Sequence, residues 1–121
     1  MHGYYQKNLK KWHKTLNSYM NYISYELESL TGQSYDALIQ EIWTNYQVEM
    51  LERFPYIGGD AASGTKNLIG AYMFVSMGEV LKKYGVTTAQ SGHLMILIYE
   101  RQFTKIPSFL RSMMGKICLL Y

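Results

Sequence analysis

At 121 residues, 48% apolar and 17% charged, the chain suits one domain with a real core and is neither disordered nor fibrous. A net charge of +3 argues little for nucleic acid, and one cysteine, Cys118, excludes an intramolecular disulfide. There is no apolar signal core at the N-terminus, and the longest apolar stretches, Leu68–Val75 and Leu94–Tyr99, fall far short of the roughly 20 residues that span a bilayer. The expectation is a cytoplasmic protein that contacts neither nucleic acid nor membrane.

In chain order, Tyr5, Leu9, Trp12, Leu16, Tyr19, Ile23, Leu27 and Leu30 recur every three or four residues. This spacing predicts one amphipathic helix from about Tyr4 to Ser29, with Lys7, Lys10, Lys11 and Lys14 on its solvent face. Gly32 is a stop. Ser34 can cap a second helix with Asp36 in its first turn, an apolar stripe through Leu38, Ile42, Tyr46 and Met50, and Pro55 as its end.

The run from Phe54 to Gly70 is the one long break in the helical pattern, and it gathers a proline and several glycines. A loop of this kind in a small helical domain points to binding. After it, a helix from about Lys66 to Tyr84 is apolar on nearly every side, which predicts a central, buried element with Phe74 in the core. Gly85 ends it. Thr87, Thr88, Ala89 and Gln90 read as a capping box for a helix running to about Lys105. Pro107 then starts a last helix or kinks a continuing one. The final Lys-Ile-Cys-Leu-Leu-Tyr is apolar and needs something to pack on: a further domain, a partner chain or the core itself. No period-two alternation or hairpin dipeptide signals a strand. The predicted fold is all-α, a single domain of four to five helices around the helix at 66–84, with no sheet. Twelve tyrosines and eight methionines suit half-buried helix faces, and with the apolar end they predict a homo-oligomer.

Candidate chemistry centres on the break. Gly58 and Gly59 free the loop backbone. Thr65, Lys66 and Asn67 open the following helix, whose unpaired amides and dipole attract anions. They read either as a site for a small carboxylate or as a plain helix cap. Tyr56 either faces a ligand or pins the loop to the core. The glycines at 59 and 64 have the spacing of a nucleotide phosphate loop, but Thr65 stands where lysine belongs and a helix precedes it. His93 and Glu100 share a face of the later helix and read as an acid–base pair or as structural residues. Glu49 and Glu52, one turn apart, read as a solvated pair, and Cys118 as inert core. The histidines and Cys118 lack metal-ligand spacing, and no residue set calls for a cofactor.

Pro-Tyr-Ile-Gly-Gly (55–59), Thr-Lys-Asn-Leu-Ile-Gly-Ala (65–71) and Leu-Lys-Lys-Tyr-Gly-Val-Thr (81–87) occur in that order, after an N-terminal Tyr-Tyr and basic residues. In this order and spacing the chain resembles the L-2-amino-thiazoline-4-carboxylic acid hydrolase family, closely from about Phe54 to Arg101. The resemblance implies hydrolytic opening of a cyclic C–N bond in a small heterocyclic amino acid, on the route to cysteine. Set beside it, the reading of the loop makes Tyr56, Gly58, Gly59, Thr65, Lys66 and Asn67 the candidate substrate contacts. The family's C-terminal part, rich in cysteine, aspartate and aromatic residues, has no counterpart in these 121 residues. The chain therefore reads as the N-terminal helical half, with little activity of its own. The alternative is a non-catalytic helical interaction module.

Overall fold

The structure is a computed structural model that describes residues 7–53 and 63–103. Among the described residues it contains five helices and no strand. They are α1 (Leu9–Asn21), α2 (Ser24–Thr31), α3 (Tyr35–Arg53), α4 (Ser63–Lys82) and α5 (Thr88–Phe103). The all-α expectation holds. Tyr4, Tyr5, Tyr56 and everything beyond Phe103 lie outside the described residues.

Local signals set the boundaries. Gly32 closes α2 at φ 69°, and its amide donates to the Glu28 carbonyl. That left-handed backbone suits glycine. The Ser34 hydroxyl accepts from the Ala37 amide at 3.3 Å and opens α3. Gly85, at φ 81°, follows α4, and the Val86 amide reaches back to the Leu81 carbonyl at 3.2 Å, a Schellman-type closure. The capping box forms at α5: the Gln90 amide donates to the Thr87 hydroxyl at 3.1 Å, and the Gln90 side chain accepts from the Thr87 amide at 2.8 Å.

Two expectations need correction. The single helix predicted from Tyr4 to Ser29 is broken at Tyr22 and Ile23. Their amides bond three residues back, to Tyr19 and Met20, and Ile23 leaves helical geometry at φ −122° and ψ 23°. The apolar period of three and four runs unbroken across this point, because Met20, Ile23 and Leu27 are all buried. Periodicity reports burial and is blind to a break that preserves it.

The second correction concerns α4. It starts at Ser63 and ends at Lys82, and it is not buried all round. Ile69, Met73, Met77, Val80 and Leu81 face the core, whereas Leu68 and Val75 are 49% and 43% exposed. Phe74 is half-buried, stacked beside Tyr19 and Tyr99 at centroid separations of 5.9 and 6.0 Å. An apolar residue shows only that a side is uncharged. Here the outer apolar face of α4 has no covering element among the described residues.

The core lies between α3 and α4, with α1 and α5 closing its sides. Leu16, Met20, Ile42, Tyr46, Met50, Met73, Leu94 and Ile98 are all sealed from solvent. The Tyr46 hydroxyl donates to the Ile69 carbonyl at 2.9 Å, which satisfies a buried polar atom and ties α3 to α4. Trp43 carries His13 on its outer side at a centroid distance of 4.5 Å. The lysines of α1 are exposed, as predicted.

Candidate functional site

Helix α4 begins at Ser63, directly after the glycine-bearing run, so the amides of Ser63, Gly64 and Thr65 have no carbonyl of their own helix to bond. Sequence reasoning placed these free amides at Thr65, Lys66 and Asn67. With the start at Ser63, only Thr65 of these three keeps a free amide. The Lys66 and Asn67 amides fall where the intrahelical ladder begins. Tyr56, Gly58 and Gly59 lie outside the described residues.

His93 and Glu100 are both on α5 and both exposed. Seven residues return a helix to the same face but place the two about 10 Å apart along the axis. No hydrogen bond or ion pair joins them among the described residues. The acidic neighbour of His93 is instead Glu26 of α2. His93, Glu26 and Arg101 border a cleft of about 640 Å³ between α2 and α5.

The chemistry of that cleft is an ion pair in a fork. Arg101 donates to both Glu26 carboxylate oxygens, at 3.0 and 2.6 Å, and to the Tyr22 carbonyl at 2.6 Å. The break between α1 and α2 is what presents Tyr22 and Glu26 together. The planar guanidinium matches this geometry, which an ammonium would not. The pair holds the Glu26 carboxyl below the usual carboxylate range, against the opposing effect of burial, and raises Arg101 above its ordinary value. Arg101 is thereby engaged three times with its own protein. It acts as a clamp between the end of α5 and the α1–α2 break, not as a free cation awaiting a ligand. Sequence reasoning missed this pair. Glu26 and Arg101 are 75 residues apart, and nothing local to either residue announces the other.

A second, larger recess of about 790 Å³ lies between α1, α4 and α5. Its walls include Trp12, Tyr19, Phe74 and Tyr99, and Glu79 and Lys82 also line it. Among the described residues no group of three histidine, cysteine or acidic side chains is placed to hold a metal ion. No described helix is long and apolar enough to cross a membrane.

No family model matches the chain, and neither does any curated protein or solved structure.

Proposed function

We propose that the chain is the helical part of an L-2-amino-thiazoline-4-carboxylic acid hydrolase-like protein, and that it contributes a seat for the substrate carboxylate. The observation that carries this reading is the start of α4. Its free amides and positive dipole end directly adjoin the run Pro-Tyr-Ile-Gly-Gly-Asp-Ala-Ala, which precedes the helix in sequence. Lys66 brings a positive charge to this stretch of the sequence. Gly58 and Gly59 would let the loop backbone approach a small ligand closely, and Tyr56 would cover it. In the enzyme so conceived, water adds to the ring, a cyclic C–N bond opens, and the product leads to cysteine. His93 and Glu26, drawn to one cleft, are residues to test for proton transfer, with Glu100 as the control on the same helix.

The test is a titration of the 121-residue chain with L-2-amino-thiazoline-4-carboxylate, followed by amide NMR. The expected result is salt-sensitive binding with shifts concentrated at Ser63–Asn67, weakened in Lys66→Ala. The share of an exposed charge pair is about 0–1 kcal/mol, so that variant should lose no more than several-fold in affinity. Binding without appreciable turnover is expected of these residues alone. Binding that Lys66→Ala leaves untouched would argue against the seat. Robust ring opening would move the chemistry onto these helices.

A second reading, a non-catalytic interaction module, rests on a different observation. Val48 and Leu51 on α3, Leu68 on α4 and Ile96 on α5 are each about half exposed, more apolar surface than a small domain ordinarily leaves open. In this reading the chain associates with itself through those faces.

A further inference from the structure

The recess between α1, α4 and α5 is elongated, and its ends differ in chemistry. Arg101 meets the Tyr22 carbonyl, so α1 and α5 end side by side and run in the same direction. Helix α4 runs the other way, because only the turn at 83–87 separates it from α5. Trp12, Lys82, Thr88 and Ser91 therefore lie toward one end of the recess, and Gly70, Tyr99 and Gln102 toward the other. Thr88 to Gln102 is about 21 Å along α5. Toward the second end Phe74 stands between Tyr19 and Tyr99, at 5.9 and 6.0 Å, and this row of rings crosses the recess. Between the rings and the first end the lining is apolar or small, with Val75, Gly78, Gly92 and Met95.

Charge sits at the first end. Lys82 lines the recess there, and among the described residues no carboxylate pairs with it. Lys11 of α1 adds a second cation: its ammonium lies 5.5 Å from the centre of the Trp12 ring, which forms the wall at that end. Glu79 also lines the recess, but its carboxylate accepts from the Asn45 side-chain amide at 2.9 Å and is held toward α3. The volume of about 790 Å³ is that of a small-molecule site. A long apolar body with cations at one end matches a linear ligand with its charge at one end. A small heterocycle would leave most of the length unfilled, and a cation would meet Lys82. We propose that this recess binds a free single-chain amphiphile with an anionic head. The head lies at Lys82 and Lys11, and the chain passes over Gly78 and Gly92 to the rings of Phe74 and Tyr99. This inference makes no use of the carboxylate seat at the start of α4 and stands or falls apart from it.

The test is a titration of the 121-residue chain with dodecanoate, kept below the concentration at which it self-associates. In the unaltered protein, amide NMR shifts should saturate and concentrate at Gly78, Ser91 and Gly92; saturable shifts confined to other residues, or none, would overturn the proposal. Dodecanoate should bind at least about tenfold more tightly than octanoate, because its longer chain buries more apolar surface. Dodecanol, with the same chain and no charge, should bind about threefold more weakly than dodecanoate, and Lys82→Glu should erase that difference. Dodecanol binding as tightly as dodecanoate would refute the cationic end. A Cβ at Gly92 enters open space, with nothing within 4 Å, so Gly92→Leu should fold and obstruct the chain's path. Binding that Gly92→Leu leaves unchanged would put the ligand elsewhere. Orientation has its own readout in Trp43→Phe, which keeps Trp12 as the sole tryptophan. Dodecanoate brominated beside the carboxylate should quench Trp12 fluorescence more strongly than dodecanoate brominated at the far end, and the reverse order would overturn the placement of the head. Dodecanoate binding that vanishes as the protein self-associates would give the recess to a second copy. Binding to phosphatidylglycerol vesicles without binding of free dodecanoate would assign the lysines to a membrane surface, and either result would overturn the proposal.

Discussion

Ser76 is the most informative single side chain in the core. It is fully buried on α4, and among the described residues its hydroxyl has no hydrogen-bond partner. An unmet buried polar group costs about 1–3 kcal/mol, and alanine is also the better helix former. Ser76→Ala should therefore raise stability by about 1 kcal/mol, read as a thermal midpoint a few degrees higher. A lower midpoint would show that the hydroxyl has a role that its surroundings do not reveal. The opposite case is Phe74, which the sequence suggested as core and the structure leaves half-buried. Removing a sealed side chain costs about 2–5 kcal/mol, because a cavity is added to the lost transfer energy. Met77→Ala should fall in that range, and Phe74→Ala should cost clearly less. Chemical denaturation of the two variants side by side checks the order, and a reversed order would place Phe74 in the sealed core after all.

At the scale of elements, the caps were the most legible feature. Gly32, Ser34, Gly85 and the Thr87–Gln90 box all act where their chemistry says they should, because each works within a few residues of itself. The break between α1 and α2 was not legible, since its cause is tertiary. The Tyr22 carbonyl is met by Arg101 from the far end of the described chain. The Glu26–Arg101 pair gives this junction a pH dependence. Glu26 has a folded-state value below its unfolded one. Its contribution is therefore present above the unfolded carboxylate value and is lost as the pH falls through the lower folded value. Both side chains are partly open to water, at 40% and 21% exposure, which trims the stabilisation. Arg101→Ala should cost about 1–2 kcal/mol at pH 7, with most of the deficit gone once Glu26 is protonated. An undiminished deficit at low pH would mean that the pair contributes packing and not charge.

For the molecule as a whole, the fold class was readable because helical periodicity and caps agreed along most of the described chain, the break at Tyr22–Ile23 apart. The site was far less so. His93 could be singled out as titratable, but its true neighbour comes from another helix. Which side of α4 is covered could not be read from a face with no charges. The exposed Val48, Leu51, Leu68 and Ile96 predict self-association, to be measured by sedimentation over a micromolar concentration series. Val48→Lys together with Ile96→Lys should shift the distribution toward monomer, and a monomer at every concentration in the unaltered chain would count against this. The Arg101 clamp has one more consequence, and it concerns time. Its contacts with Tyr22 and Glu26 close chain segments of 79 and 75 residues. Contacts of such separation pay their loop-closure entropy before they return anything. They belong to the last stage of folding, after α3 and α4 have met. In a chevron experiment, Arg101→Ala should leave the refolding rate nearly unchanged and speed unfolding, a φ-value near zero. The clamp would then govern how long the folded protein lasts, with little bearing on how fast it is made.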